Sequence, residues 1–353
     1  MQQTYRPMTE SEVGEVVREA PGPLVVRGGG TRGLFAGGAV LETGGLSGLR
    51  LYEPGALTLV VGAGMPVAEV VGLLAGERQR LAFEPPDLRG LLGREGASTI
   101  GGVVAENASG PRRVAGGAAR DFCLGLRFVD GCGAVIRNGG RVMKNVTGYD
   151  LVKLMVGSRG RLGVITEVAL KVLPMPEMAA TLMLRDLEVA RAVAAMSAAL
   201  GSPWEVTGAA HLPGRGTFLR IEGFEASVRY RLDRLRQRLA PFGRVEEVAD
   251  PWVAIRDAAT LAGPGDLWRL SLRPSEAAEV VARLEAEAVL LDWGGGLVWA
   301  RVAPGVDVRT RLGRFTGWAR CVRGTEAEAV EPPALAALSA GLRGQFDPRG
   351  IFV

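Results

Sequence analysis

An α+β protein, with a two-lobed first half and a smaller ferredoxin-like α+β second half, is predicted by three observations. Short apolar strands separated by glycine turns occupy residues 24–62 and 123–173. Strands and helices alternate after Pro176, and the 51 glycines crowd the stretch from Gly28 to Gly163. At 353 residues the chain exceeds one average domain, so more than one unit is expected. The proline punctuation divides it into 1–176, with lobes of about 1–80 and 81–176, then 177–330 and a returning tail, 331–353.

A helix is expected over 8–20, with Thr9 as N-cap and Glu12 as its capping-box partner. Strands follow at Leu24–Arg27, Ala39–Glu42, 49–52 and Thr58–Gly62. Val67, Val70, Val71 and Leu74 then recur at helical spacing within 65–76. These elements are expected to make the first lobe. After Pro85 and Pro86 come a helix over 100–109, stopped by Gly110, and strands near 123–130, 134–138 and 163–173. Beyond Pro174 and Pro176 a strand at 180–184 precedes a helix over 187–200 and strands at 204–210 and 217–222. A helix over 225–240 puts Val228, Leu232, Leu235 and Leu239 on one face. Strands at 267–272, 289–293 and Leu297–Val302 surround a helix at 276–287. That order predicts a split βαβ sandwich, an antiparallel sheet with helices on one face. A short helix and FDPRGIFV close the chain. No tandem repeat is visible.

Apolar residues make up 47% and charged residues 23%, as in ordinary well-packed proteins. No apolar run is long enough for a membrane helix, and the first residues carry no export signal. Cys123, Cys132 and Cys321 are odd in number and lack metal-like spacing, which argues against an iron–sulfur site or disulfide framework within this chain and fits a reducing cytoplasm. The net charge of +4 is dispersed, with no basic run interleaved with aromatics, so nucleic acid is not an expected partner.

Three segments carry chemistry. In VRGGGTRG, Val26 to Gly33, successive glycines let several N–H groups converge into an anion-binding nest, with Thr31 adding a hydroxyl and Arg32 a cation at the rim. A plain hairpin turn is the alternative. Neither a P-loop nor a GxGxxG opening a helix is present, which disfavours a Rossmann fold. In GREGASTIGGVVAENASG, Gly93 to Gly110, Ser98 and Thr99 precede a helix start whose N–H groups suit a phosphate, and Gly101 and Gly102 permit close approach. The third, Gly139 to Pro174, ends in a glycine turn at Gly160 and Gly163 feeding a buried strand.

Together these segments resemble the vanillyl-alcohol-oxidase-type (PCMH) FAD-binding family over residues 8–175. The Arg-Gly-Gly loop, TIGG…A.NA.G and GYDL.KL..GS.G.LG.IT occur in order, and FDPRGIF resembles the closing element of its 2-hydroxyacid-oxidising branch. VMKNVTGYDL after GPRR is most similar to the FAD-binding accessory subunits of glycolate oxidase (GlcE-like). The resemblance implies FAD, with Arg27, Gly28, Gly29, Gly30, Thr31 and Gly33 at its diphosphate. It puts Pro86, Ser98, Thr99, Gly101, Gly102 and Asn107 along a second edge, and Gly160, Gly163, Val164 and Ile165 against the adenosine or ring-proximal backbone. The first loop has no histidine, so non-covalent binding is expected.

The resemblance also implies partners: a homologous catalytic flavin subunit and an iron–sulfur subunit of a glycolate oxidase-type complex, with peripheral contact at the inner face of the membrane through them. Oxidising glycolate or D-lactate needs a base, a carboxylate-binding cation and a flavin. The branch's catalytic members use cap histidines, a metal-like cluster and a GDGN-type motif. This chain has no GDGN and one histidine, His211, which is expected to be structural; no metal site is expected. No catalytic residue is assigned. The chain is read as a subunit that binds FAD without itself oxidising the hydroxy acid, a self-sufficient dehydrogenase being the alternative. Arg229, Arg231, Arg234, Arg236 and Arg238 form either a docking face or a solvated helix surface.

Overall fold

The computed structural model describes residues 3–32, 37–141, 148–325 and 331–353. Its first helix, Glu10–Glu19, begins at Thr9, whose hydroxyl accepts from the Glu12 N–H at 3.2 Å. The Glu12 carboxylate reaches one residue beyond the expected cap and accepts from the Met8 N–H at 2.8 Å. Val13 and Val17 of this helix are fully buried against Leu24 and Leu41.

Those two leucines belong to a parallel sheet. β1 (Thr4–Tyr5), β2 (Leu24–Arg27) and β3 (Ala39–Glu42) pair in the order β1-β3-β2. The next two strands, β4 (Leu49–Glu53) and β5 (Thr58–Gly62), leave this lobe, contrary to the single first lobe expected over residues 1–80. β6 (Gln79–Arg80) makes a short pairing of its own with β10 (Leu173–Pro174). β4 and β5 join β7 (Cys123–Val129), β8 (Val135–Gly139) and β9 (Val164–Lys171) in an antiparallel sheet ordered β4-β5-β9-β7-β8. The reason lies in β5 itself. All five of its residues are buried, so it needs a neighbour on each edge and cover on both faces. The helix expected over 100–109 stops at Ala105, because Asn107 turns to φ 47°, a left-handed conformation asparagine tolerates.

The second half builds one sheet from β11 (Met178–Leu184), β12 (Val206–Leu212), β13 (Gly216–Gly223), β14 (Val245–Val248), β15 (Asp266–Leu272), β16 (Ala288–Asp292), β17 (Leu297–Val302) and β18 (Gly317–Arg323). Their order is β14-β11-β13-β12-β16-β17-β15-β18, with every neighbouring pair antiparallel. The sheet is a duplication that the sequence does not display. β11–β14 and β15–β18 each run strand, helix, strand, strand, helix, strand, and the second strands of the two units, β12 and β16, meet at His211 and Leu291.

Period-two alternation sorts this sheet's faces. Leu219, Ile221, Trp268, Leu270 and Val298 point to the helices and share their core. Phe218, Leu267, Leu290, Leu297 and Trp299 point the other way and pack with Leu88 and Leu91 of the first half. Arg220, Arg269 and Asp292, two positions from Phe218, Leu267 and Leu290, Glu222, two further along β13, and Arg320, two positions from Val322 of the same cluster, therefore face the first half as well. The tail packs on β2: Asp347 caps the Ile351 and Phe352 N–H groups at 2.9 and 2.8 Å, and Ile351 O accepts from Leu24 N at 2.7 Å.

Helix Glu225–Leu239 keeps its leucine face buried, but its arginines are not a uniform free face. Arg229 pairs with Glu225 at 2.7 Å, and Arg236 with Asp233 and Glu247 at 2.8 and 2.6 Å. Arg231 is buried and donates to Glu222 O at 2.8 Å.

Candidate functional site

β2 ends at Arg27, and the glycine loop leaves its carboxyl end. Two glycines there are demanded by contact. A Cβ on Gly29 would lie 1.5 Å from Ala97 O, and one on Gly28 would lie 2.3 Å from Thr99 Oγ1. The first and second predicted segments therefore pack backbone to backbone. Gly30 adds φ 67°, which bends the loop so that consecutive amides face one side. Among the described residues, the N–H groups of Gly28, Gly29, Gly30, Thr31 and Arg32 have no protein acceptor. Their desolvation without a partner would be costly, so the loop suits an anionic ligand.

The second segment behaves differently from expectation. Ile100 N donates to Met65 O at 3.0 Å, Gly101 N to Ala63 O at 2.7 Å, and Gly102 N to Thr99 Oγ1 at 3.2 Å. That helix start spends its amides internally and offers none to a phosphate. Its glycines serve close packing instead: a Cβ on Gly101 would meet Ala63 Cβ at 2.8 Å.

A cavity of about 800 Å³ opens over both segments. Gly28, Gly29, Gly30, Thr31, Arg32, Thr99, Gly101, Gly102, Gly160, Gly163 and Ile165 line it. Five expected residues lie elsewhere. Arg27 turns away to pair with Glu42; Ser98 and the Pro86 carbonyl accept from Arg32; Asn107 accepts from Arg120 N at 3.0 Å; Val164 is buried beside Val13 and Leu24. Gly33 lies outside the described residues. The sequence reading missed the cationic half of the wall, Arg159, Arg161, Arg309, Arg320 and Arg343. Arg309 and Arg320 come from the second half, far from any recognisable motif, and Arg343 stands three residues before the FDPRGIF element without being part of it; only the strand period of β18 marks Arg320.

Arg32 anchors the loop's far side. Burial lowers its pKa, with Glu106 and Asp87 opposing, and its Nε is enclosed with no hydrogen-bond partner among the described residues. Burial acts to raise the Glu106 carboxyl, but Arg320 at 3.1 Å and Arg159 at 3.6 Å prevail and hold it below the ordinary range. Glu106 is thus a charged strut, not a proton carrier. His211 is buried, its Nδ1 2.9 Å from Thr217 Oγ1, and burial lowers it to about 4. It lies outside the cavity, in keeping with a structural role. Among the described residues no three His, Cys, Asp or Glu side chains could hold a metal, and no helix is long and apolar enough to cross a membrane.

The residues present fit a dinucleotide. The side-chain-free cradle at Gly28 and Gly29, five unspent amides and a rim of arginines suit a diphosphate, and the cavity's size lies within the about 300–1,000 Å³ typical of ligand sites.

Comparisons with known proteins agree. Residues 1–139 match the family described as FAD binding domain. Over 338 residues the chain is 34% identical to the glycolate oxidase subunit GlcE of Escherichia coli (strain K12), spanning 94% of this chain and 91% of that protein. It is 36% identical over 165 residues to the glycolate oxidase subunit GlcD of Bacillus subtilis (strain 168), a match covering 46% of this chain and only 34% of GlcD. Among solved structures, an alkyldihydroxyacetonephosphate synthase superposes with a TM-score of 0.72 over 99% of this chain and 76% of the other, at 14% identity. That likeness speaks for the fold alone, and it bears out the two-lobed α+β class.

Proposed function

The chain belongs to the family of the glycolate oxidase subunit GlcE, and from that membership we propose that it is the FAD-binding, non-oxidising subunit of a glycolate oxidase-type complex. The observation that carries this reading is the run of unspent amides from Gly28 to Arg32 facing a cavity of nucleotide size. In this reading residues 1–176 hold the nucleotide, 177–330 cover it and 331–353 return beside β2.

FAD, when bound, supplies a centre that accepts and passes on electrons. The chain's own residues bind and orient it. Amides from Gly28 to Arg32 take the diphosphate oxygens, while Thr99 and Gly102 form the floor beside them. Arg343 adds positive charge to the wall, Arg159 and Arg320 share theirs with Glu106, and the eight-stranded sheet excludes water from one side. The wall holds no histidine, which supports electron handling rather than hydroxy-acid oxidation by this chain. The reading assigns oxidation to a homologous catalytic flavin subunit and onward transfer to an iron–sulfur subunit, with any membrane contact made through them.

The purified chain is expected to carry about one FAD that acid precipitation releases into the supernatant, and to show negligible glycolate or D-lactate turnover with an artificial acceptor. Robust turnover would establish the self-sufficient dehydrogenase instead, and flavin retained in the pellet would show a covalent link. Gly29→Ala is expected to reduce FAD affinity by at least about tenfold, because the added carbon forces the loop away from Ala97. An unchanged flavin-to-protein ratio after dialysis would show that this loop does not hold the cofactor.

A further inference from the structure

The five-stranded sheet packs one face against helices and leaves part of the other open. Leu59, Val61, Leu126, Phe128 and Val168 fill the covered face. Residues one step along the strands, Val60, Arg127, Glu167 and Ala169 with Arg137 of β8, border a cavity of about 260 Å³ on the other. Gly125, Gly139 and Gly140 give it a floor without side chains, and the exposed Arg50 and Arg141 join its lining. The chain's own packing sets two of those glycines. A Cβ on Gly125 would lie 2.6 Å from Gly140 O, and one on Gly139 would lie 2.4 Å from Leu124 O.

No such internal reason accounts for the charges. Four guanidinium groups share this cavity with one carboxylate, Glu167. Arg50 lies 4.0 Å from Glu167, and Arg127 pairs with Glu10 of the first helix. Arg137 and Arg141 are both exposed, and their side chains make no hydrogen bond or ion pair with any described residue. Arg137 also stands directly across from Arg127 on the neighbouring strand. Like charges so placed on one face destabilise a sheet. Four cations against the two carboxylates Glu10 and Glu167 leave a surplus of two positive charges, half of the +4 carried by the whole chain.

We propose that this cationic sheet face is the docking surface for an acidic segment of a partner subunit. Carboxylates of that segment meet Arg137 and Arg141, while an apolar side chain beside them lies on Leu51, Val60 and Ala169. The proposal rests on the subunit reading for the existence of a partner; charge complementarity selects what the partner presents. An exposed arginine contributes little to binding one small anion. Several carboxylates on one chain add their contributions, and the shared field steers them to the face. A nucleic acid finds no aromatic side chain to stack on among the lining residues. A second copy meeting this face with its own brings the same surplus charge and is repelled.

The test uses the full chain loaded with FAD and fluorescent poly-L-glutamate, with binding followed by anisotropy at low and at physiological ionic strength. Saturable binding is expected, weaker at the higher salt, and weaker by at least about tenfold in Arg137→Glu with Arg141→Glu. Neither side chain holds another residue, so FAD content and the unfolding midpoint are expected to stay unchanged. Arg234→Glu with Arg238→Glu, an equal change of charge on the exposed side of helix Glu225–Leu239, is expected to bind as the wild type does. Should the first variant misfold, Arg141→Glu alone, beyond the end of β8, is expected to weaken binding severalfold. Equal losses in the two double variants, no saturable binding at low salt, or tighter binding of duplex DNA or anionic vesicles than of poly-L-glutamate overturns the proposal. Robust glycolate oxidation by the chain alone, or failure to take up FAD, overturns the functional reading instead, and the titration still decides this face.

Discussion

Glu222→Ala is expected to lower the unfolding free energy by about 3–5 kcal/mol, the cost of leaving buried charge uncompensated. Glu222 points from β13 toward the first half and is 9% exposed. One carboxylate oxygen meets Arg80 at 2.7 Å; the other is bonded to Arg112 and lies 3.6 Å from Arg220. Arg220 holds Glu84 at 2.9 Å and stacks over Trp252, 4.7 Å from the ring centroid. Two arginines from the first half and one from the second thus converge on a single carboxylate. Burial and the charge of Arg80 already pull Arg112 down to about 10. Without Glu222 the three guanidinium groups would repel across the junction. Urea unfolding measures the loss, and a change below about 1 kcal/mol would mean that water reaches the cluster. The triple variant Glu222→Leu with Arg80→Met and Arg112→Met is expected to recover much of it, because the apolar replacements need no compensation and Arg220 keeps Glu84.

The same junction explains what could and could not be read from the chain. β2, β3 and β5 were legible to the residue, because apolar runs between glycine turns leave few alternatives. β14, Val245–Val248, is an edge strand with two glutamates, so its sequence has no apolar signature; β18 was missed because Arg320 and Arg323 break up its apolar residues. The duplication of βαββαβ units escaped notice because the two copies share an order of elements and not a residue pattern. The glycine loop was legible because local crowding dictates glycine. The helix start at Ile100 misled because its amides are taken by Ala63 and Met65, residues some 35 positions earlier in the chain. Arg220, Arg269 and Asp292 were visible as strand residues, but their meeting place depends on how two halves pack, which no local pattern encodes.

Asp292→Asn is expected to stabilise the protein by about 4 kcal/mol at pH 8 and to change it little below pH 4. Burial raises this carboxyl from 3.8 to about 7 in the folded chain. Between those values the folded state holds a proton that the unfolded state has released. Rising pH therefore favours unfolding across that window, and the full penalty is present above about pH 7. Asparagine keeps the oxygen that accepts from the Trp293 N–H and never ionises, so the penalty disappears. His211, whose strand pairs with β16 one residue away, acts in the opposite sense: lowered from 6.5 to about 4, it costs stability as the pH falls through that range. The wild-type chain is squeezed from both sides, and the variant should lose only the alkaline limb of its stability profile. Equal gains at pH 4 and pH 8 would show that Asp292 titrates normally. A chain that retains so costly an acid beside its large cavity trades stability for a buried polar group there.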